Sequence, residues 1–303
     1  MDELNLSVII LSYNTKDILD KCLQSLQLSV VSCQKNLGNK IQIIVLDNAS
    51  SDGSVEMVKK NHPEVDLIES KENTGYSKGN NLAFKKAKYP LILFLNSDVY
   101  LQEDSLEKAL LNFKNPDCDG LGIKLQFENG KFQPSAGDLP NFFNIYLWIF
   151  GFAKLPILEN INPYHPTDPS YFNELRKVGW VTGAFFMLRK EVFEKVLGFD
   201  ENLFMYAEEV EMCKRISKKG CKIWYVPTIT ATHLHAASSN FDTSPAFVSE
   251  IKGLSYYFKK YYKNYYWFYK IIMIKGLILR IIVFTLFGKT KRANAYMKGL
   301  GMI

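Results

Sequence analysis

The sequence contains few cysteines, and none of them is paired by spacing. Only five of the 303 residues are cysteine, and no C-x-x-C motif occurs, so neither a disulfide framework nor a cysteine-based zinc site is expected. The amino terminus places two acidic residues before its first apolar run, whereas a signal peptide begins with a basic segment. We therefore expect a protein of the reducing cytosol.

Several nucleotide-binding and hydrolase motifs are absent as well. No G-x-G-x-x-G follows a predicted strand, and the GKT at residues 288–290 has Val283 where a P-loop requires its first glycine. Neither H-E-x-x-H nor G-x-S-x-G occurs. These absences argue against dehydrogenases, P-loop NTPases, zinc hydrolases and esterases.

Acidic residues are missing from the last part of the chain. No Asp or Glu follows Glu250, whereas residues 251–303 contain eleven Lys and Arg. The rest of the chain has a negative net charge. A basic tail on an acidic body predicts contact with an anionic surface, either nucleic acid or the phospholipid face of a membrane.

Hydrophobic residues make up 47% of the sequence and charged residues 22%, a balance typical of a globular protein with a sizeable core. Three apolar runs, Leu6–Ser12, Ile41–Asp47 and Leu91–Asn96, alternate with segments of helical periodicity. Continuous apolar strands that alternate with helices predict a mostly parallel sheet covered on both faces. Six of the eleven prolines lie between Pro134 and Pro169, which predicts an irregular insertion there.

Polar residues follow the predicted strands, where open α/β sheets bind ligands. Tyr13 and Asn14 follow the first strand, Asp47 ends the second, and Asp98 follows the third. Any one of them can be explained as a turn residue, but together they favour a ligand site. An aromatic ring beside Asp47 can stack on a nucleobase while the Asp47 carboxylate accepts a hydrogen bond from a ring N–H of that base. Uracil and thymine have such an N–H. Asp98 is suited to hold Mg²⁺ or Mn²⁺ beside phosphate oxygens.

Three other features each allow two interpretations. The segment 73–83 contains glycines and Lys78 and opens a helix, so it predicts either a diphosphate contact or an ordinary helix start. Glu208 and Glu209 either stabilise a helix dipole or, beside the apolar residues 204–206, supply a general base. A lone histidine such as His233 is either structural or a ligand.

Six segments, in order, resemble family 2 glycosyltransferases over residues 6 to about 239. They are VIILSYN (8–14), LDNASSDGS (46–54), NTGYSKGNN (73–81), LNSD (95–98), VTGAFFMLRKEVFEKVLGFDE (181–201) and FMYAEEVEMCKRI (204–216). The resemblance implies a GT-A fold and an inverting transfer of a sugar from a nucleotide diphosphate to an acceptor hydroxyl, with Mg²⁺ or Mn²⁺ as cofactor.

The resemblance also implies roles for particular residues. On the donor side, the matching positions are Tyr13, Asn14 and Asp47 for the base, Gly75, Lys78 and Asn80 for the ribose and diphosphate, and Asn96 in the metal-binding element. For the chemistry they are Glu209, with Glu208 as the alternative base, Asp98 and His233 for the metal, and Trp180 and Gly183 for the acceptor sugar.

Two departures from the family pattern bear on these roles. Asn96-Ser97-Asp98 replaces D-x-D and resembles the N-x-D of rhamnosyltransferase-like members, which favours dTDP-L-rhamnose, with UDP-sugars as the alternative. Glu208-Glu209 replaces the usual Glu-Asp and adds a methylene to the base.

The resemblance divides the chain into a GT-A domain, residues 1–240, and a helical tail, residues 241–303. Within the domain, residues 1–98 would bind the nucleotide and residues 99–240 the acceptor. The tail contains the apolar stretch 266–288, which three cations interrupt. We expect this stretch to lie on the inner face of the membrane rather than to span it, with packing on the catalytic domain as the alternative.

These inferences predict a cytoplasmic, peripherally membrane-attached enzyme of cell-surface polysaccharide synthesis. Its partners would be a nucleotide-sugar donor, a glycan or lipid-linked acceptor and the membrane, but no nucleic acid. Two rival classes are kept. One is a non-catalytic nucleotide-sugar or membrane-surface binding protein of the same fold. The other is a nucleotidyltransferase, which normally begins with a glycine-rich, Arg-bearing loop where this chain has SYNTKD.

Overall fold

The computed structural model describes residues 4–155, 158, 161, 163–234 and 244–303. Its first third alternates strands and helices, as the sequence predicts. The elements are β1 (Leu6–Ser12), α1 (Lys16–Leu37), β2 (Ile41–Asp47), α2 (Ser54–Asn61), β3 (Asp66–Glu69), α3 (Gly75–Phe84) and β4 (Leu91–Asn96). Strands β1 to β4 are parallel to one another, and helices cover the sheet on both faces. The predicted mostly parallel α/β sheet is therefore confirmed.

The second part of the chain extends this sheet. Its elements are β5 (Val99–Leu101), α4 (Ser105–Asn112), β6 (Gly120–Gln126), β7 (Phe132–Gln133), β8 (Ala136–Gly137), α5 (Phe142–Phe150), β9 (Arg176–Val178), β10 (Trp180–Val181), β11 (Phe185–Arg189), α6 (Lys190–Lys195), α7 (Glu208–Lys218) and β12 (Ile223–His233). The strand order is β3-β2-β1-β4-β11-β6-β12-β5, with β7 on β6 and β9 on β12. Strand β11 is antiparallel to both of its neighbours, whereas β12 is parallel to β6.

The proline-rich stretch is more regular than the sequence predicts. Helix α5 lies within it, and the prediction of an irregular insertion is wrong for these residues. The Asn141 side chain accepts hydrogen bonds from the backbone of Phe143 and Asn144, and the Asn144 side chain closes the capping box. Because almost every residue of α5 is apolar, the helix has no polar face whose period the sequence could reveal.

Three helices form the carboxyl-terminal part, α8 (Ser244–Tyr261), α9 (Tyr266–Leu286) and α10 (Thr290–Leu300). One face of α8 and α9 packs into the same hydrophobic cluster as the central sheet, and Tyr257 and Tyr269 are fully buried there. A Cβ on Gly276 of α9 would lie 2.6 Å from Ile149 of α5, so the two helices are in close contact. The predicted boundary at residues 240 and 241 lies outside the described residues, and the domain division stays a prediction.

A partly buried ionic cluster joins α8 to α7 and to the loop that precedes α7. Lys260 Nζ of α8 lies 2.7 Å from Glu211 Oε1 and 2.6 Å from Asp200 Oδ2, and Tyr261 donates to Glu211 at 2.6 Å. The Glu211 side chain is fully buried and also pairs with Arg215. Removing one partner of such a cluster strongly destabilises the folded protein, because the remaining buried charge is left uncompensated. Glu211, in the first turn of α7, is thus a structural residue.

Candidate active site

A cleft lies where β1 and β4 end. Its wall includes Tyr13, Asn48, Gly75, Asn96 and Asp98. Because parallel strands end at one edge of the sheet, residues far apart in the chain meet there. We call this space the strand-end cleft. Its other described lining residues are Leu11, Thr15, Asn73, Tyr76, Ser97, Thr182, Phe204, Met205, Tyr206 and His233.

Asn48 organises the loops around the strand-end cleft. Its side-chain oxygen accepts from the Thr74 backbone N–H at 2.8 Å and from the Thr74 hydroxyl at 3.0 Å, and its amide donates to Asn73 Oδ1 at 2.9 Å. Gly75 follows with φ +76°, and a Cβ there would lie 2.5 Å from the Phe204 ring. Only glycine lets the loop before α7 come this close to α3.

Asp47, the last residue of β2, is 2% exposed and lines neither space that is described in this section, although the next residue, Asn48, lines the cleft. Its Oδ2 accepts from the Ser50 backbone N–H at 2.9 Å. Its buried Oδ1 has no hydrogen-bond partner among the residues that the structure describes. Leaving a buried carboxylate oxygen unpaired is costly, so this atom is poised to accept from a bound group.

Asp98 and His233 meet in the cleft, although 135 positions in the sequence separate them. His233 Nε2 lies 3.2 Å from Asp98 Oδ1, and His233 Nδ1 lies 3.1 Å from the Gln133 side-chain oxygen. Each ring nitrogen of His233 therefore lies within hydrogen-bond range of an oxygen atom. A carboxylate beside an imidazole is a pair of ligand types that a divalent cation can use, and the metal-binding role of these two residues stays a prediction.

No group of three His, Cys, Asp or Glu side chains with metal-binding geometry occurs in the described part of the chain. A cation held by Asp98 and His233 would therefore take its remaining ligands from phosphate oxygens and water, as Mg²⁺ commonly does.

A second space, the side cavity, adjoins the cleft. It has a volume of about 410 Å³, and its wall includes Glu209, Trp180 and Gln133. Thr182, Tyr206 and His233 line both spaces. A group bound in the cleft and a group bound in the cavity would therefore meet at this shared wall.

Strained backbone presents Glu209 to the side cavity. Tyr206 and Ala207, directly before α7, have φ of +71° and +68°, which side-chain-bearing residues rarely adopt. Strain of this kind costs about 1–3 kcal/mol per residue and clusters at functional sites. Glu209 Oε2 is buried and has no hydrogen-bond partner among the described residues.

The two adjacent glutamates differ in their surroundings. The pKa of Glu209 is raised to about 7, chiefly by burial and also by the nearby Glu250 carboxylate, while a backbone hydrogen bond at Glu209 and the charge of His165 act in the opposite direction. Burial, and then the charge of Glu209, raises the pKa of Glu208 well above its ordinary value. Glu208 is 4% exposed and lines neither space. Glu209 is therefore the carboxyl that can exchange a proton with a bound group near neutral pH.

The structure does not bring every predicted site residue to these spaces. Asn14 has φ +51°, and its side chain accepts from the Ser51 backbone at 2.8 Å, so it ties two loops together. Lys78 is exposed and lies 3.5 Å from Glu72. The buried Asn80 donates to the Tyr76 carbonyl at 2.9 Å. The donor-binding role of these three residues stays a prediction.

The two predicted acceptor residues are placed differently from each other. Trp180 lines the side cavity, where its indole N–H donates to the Tyr164 carbonyl at 3.1 Å. Gly183 lines neither space, and its carbonyl accepts from the Tyr76 hydroxyl at 3.0 Å. A Cβ on Gly183 would lie 2.6 Å from that hydroxyl oxygen, so glycine is needed there for packing.

Sequence reasoning missed several residues of the two spaces. Asn48 follows Asp47 directly, and its position after a strand was an available signal. Thr182 directly precedes the predicted Gly183 in a quoted segment, so a signal was available for it too, whereas His165 and Glu250 gave none, because only the folded chain brings them to the site.

The fold, with a cleft at the strand ends and an adjoining cavity that shares its wall, has the architecture of a GT-A transferase. A sequence profile of the family "Glycosyl transferase family 2" matches residues 7–197. The chain belongs to this family, and it is a glycosyltransferase. The alternative of a non-catalytic binding protein is not favoured.

Curated relatives are similar over most of their length. The chain is 27% identical over 255 residues to "N-acetylglucosaminyl-diphospho-decaprenol L-rhamnosyltransferase" of Mycobacterium tuberculosis, covering 78% of each chain. It is 26% identical over 261 residues to "Rhamnosyltransferase WbbL" of Escherichia coli, covering 81% of this chain and 89% of the relative.

Solved structures confirm the GT-A fold. The mannosyltransferase PcManGT of Pyrobaculum calidifontis, solved with GDP-Man and Mn²⁺, superposes with a TM-score of 0.58 at 15% identity, covering 87% of this chain and 66% of that one. Residues 1–349 of TarS from S. aureus superpose with a TM-score of 0.54 at 15% identity, covering 98% and 90%.

Proposed function

We propose that this protein is an inverting, metal-dependent rhamnosyltransferase that moves L-rhamnose from dTDP-L-rhamnose to a hydroxyl of a lipid-linked or glycan acceptor in cell-surface polysaccharide synthesis. UDP-sugars are the alternative donors. The N-x-D sequence at Asn96–Asp98 and the printed names of two relatives support this choice. The observation on which the proposal depends is the position of Glu209 in a cavity that shares a wall with the cleft of Asp98.

The arrangement fits a single displacement. Glu209 accepts the proton of the acceptor hydroxyl while that oxygen forms a bond to the anomeric carbon. The bond from the anomeric carbon to the diphosphate oxygen breaks, and its electron pair leaves with the diphosphate. Asp98 and His233 would hold a Mg²⁺ or Mn²⁺ ion, which when bound neutralises charge on the diphosphate.

A pyrimidine donor is tested at Asp47. In Asp47→Asn, an amide NH₂ or an uncharged amide oxygen takes the place of the unpaired carboxylate oxygen. The ring N–H of a bound pyrimidine base then loses its charged acceptor. We expect the affinity for dTDP and UDP, measured by calorimetry, to fall by about tenfold to a hundredfold. Asp17→Asn, on the exposed side of α1, is the control. Unchanged dTDP and UDP affinity in Asp47→Asn would contradict the pyrimidine site.

The exposed face of α9 supports attachment to a membrane surface. Trp267 is 60% exposed, Ile282 52% and Leu286 80%, whereas the opposite face of the helix is buried. Exposed Lys289 and Arg292 follow at the start of α10. An exposed apolar face flanked by aromatic and basic side chains suits the headgroup boundary of an anionic leaflet. No helix of the described residues is long and apolar enough to cross a membrane.

Vesicle flotation tests this attachment. We expect the protein to float with vesicles that contain phosphatidylglycerol, and Ile282→Glu/Leu286→Glu to remain in the soluble fraction, because two carboxylates cannot enter the apolar layer. Leu197→Glu, at an apolar residue that is 88% exposed elsewhere on the surface, is the matched control and should still float. Flotation of the double variant would contradict attachment through α9.

A further inference from the structure

Helix α8, the first helix of the carboxyl-terminal part, contributes a carboxylate to the wall of the side cavity. Glu250 and Phe247 of α8 line this cavity together with Glu209 and Trp180. The family profile ends at residue 197, so Glu250 lies well beyond the matched region. The tail thus takes part in the site as well as in packing.

Glu250 is held in one orientation by two neighbours. Tyr164 donates to Glu250 Oε1 at 3.0 Å, and His165 Nε2 lies 2.5 Å from the same oxygen. Burial opposes ionisation, but the positive charge of His165 and both hydrogen bonds keep the pKa of Glu250 below its ordinary value. Glu250 is therefore a carboxylate at neutral pH.

The imidazole of His165 is fixed in turn by aromatic rings. Its centroid lies 4.1 Å from that of Tyr164 and 5.1 Å from that of Trp180, both edge to face, and 5.6 Å from Trp148. The Glu250 and His165 side chains keep 21% and 29% of their surface exposed. Both can therefore contact a ligand in the cavity without first breaking their own pair.

These groups have the chemistry of a sugar site. Aromatic and apolar walls cover the C–H faces of a pyranose, and a few fixed polar groups bind its hydroxyls. Hydrogen bonds to an ionised acceptor are about twice as strong as neutral ones, and a fixed carboxylate receives hydroxyl donors without further ordering. The volume of about 410 Å³ lies within the range of small-molecule sites.

We propose that Glu250 and His165 form an acceptor-sugar subsite, in which Glu250 accepts a hydrogen bond from a hydroxyl of a pyranose whose neighbouring hydroxyl faces Glu209. This inference rests on the proposed function and adds that the accepted group is a sugar rather than a plain lipid alcohol. It also makes α8 a determinant of acceptor specificity.

The test is binding of simple glycosides to the full-length protein. Octyl glucoside, galactoside, N-acetylglucosaminide and rhamnoside, each below its micellar concentration, are titrated by ligand-observed NMR with dTDP and diamagnetic Mg²⁺ present. At least one should bind, and Glu250→Gln should weaken that binding at least tenfold while dTDP affinity is unchanged. Glutamine keeps an oxygen for Tyr164 and His165, which preserves the local fold. Glu56→Gln, on the exposed side of α2, is the matched control.

A second variant makes the result independent of the folding of Glu250→Gln. Ala246→Phe puts a ring into the side cavity, whose wall includes Ala246, and removes no hydrogen bond of the pair. It should abolish glycoside binding and keep dTDP binding. Absence of any glycoside binding to the wild-type protein that binds dTDP, or unchanged glycoside affinity in both variants, would overturn the subsite. Absence of dTDP and UDP binding would instead contradict the proposed function itself.

Discussion

Glu209→Gln is expected to lower turnover by about 10²- to 10⁴-fold, the usual contribution of a positioned general base. Glutamine has nearly the same shape but cannot take the acceptor proton. Glu209 lines the side cavity and not the strand-end cleft, so the affinity for the nucleotide sugar should not change. Steady-state release of nucleoside diphosphate, together with calorimetry of donor binding, checks both expectations.

Glu208→Gln is the matched control. Burial and the neighbouring Glu209 raise the pKa of Glu208 well above its ordinary value, and Glu208 lines neither space, so glutamine at this position should not remove the base. Its turnover should stay close to that of the wild type. If Glu208→Gln were the inactive variant and Glu209→Gln the active one, the base would be Glu208.

The pH dependence of the wild type follows from the same residue. A base whose pKa is raised to about 7 is protonated and inactive below that pH, so kcat/KM should increase with pH through about 7 and then level off. The titratable neighbours of Glu209 include Glu208, Glu250 and His165. In Glu209→Gln this ascending limb should be lost, because the group that titrates is gone.

Asp98→Asn is expected to be the second severe variant. Removing the carboxylate from the predicted cation pair removes charge neutralisation at the diphosphate, which is a contribution of several kcal/mol, or at least about a hundredfold in turnover. Donor affinity should also fall, unlike in Glu209→Gln. Turnover of the wild type should be lost with EDTA and return with Mn²⁺ or Mg²⁺.

Asp104→Asn, whose side chain is about half exposed and pairs with Lys108 outside the cleft, is the control for a change of charge. It should leave turnover, donor affinity and metal dependence unchanged. Wild-type turnover that is indifferent to EDTA, or an Asp98→Asn variant with normal turnover, would contradict the metal-binding role of this carboxylate.

The sequence predicts much of the strand-end cleft because local rules determine it. The apolar runs become the parallel strands, and Tyr13 and Asp98 follow strand ends that the topology brings together. Gly75 begins α3 at a position where φ is positive and Phe204 leaves no room for a Cβ. Lys78 and Asn80 belong to the same segment, residues 73–81, but their side chains do not line the cleft. Lys78 lies near Glu72, and Asn80 donates to the Tyr76 carbonyl.

The side cavity is less accessible to sequence reasoning because long-range packing builds it. His165 lies within the proline-rich stretch, and Glu250 reaches the cavity because α8 packs on the central sheet and its Lys260 pairs with Glu211. The apolar stretch of α9 is equally ambiguous in sequence, since one face is core and the other is exposed. The folded chain, in which α5, α8 and α10 all contact α9, shows which face is buried.

The most direct test is release of dTDP from dTDP-L-rhamnose, with Mn²⁺ and a lipid-linked glycan as acceptor, by the wild type and by Glu209→Gln. Direct displacement with Glu209 as the base predicts acceptor-dependent release of dTDP by the wild type, a product with inverted anomeric configuration, and a loss of at least about a hundredfold in the variant. Equal rates in the two proteins, or a product with retained configuration, would contradict direct displacement with Glu209 as the base.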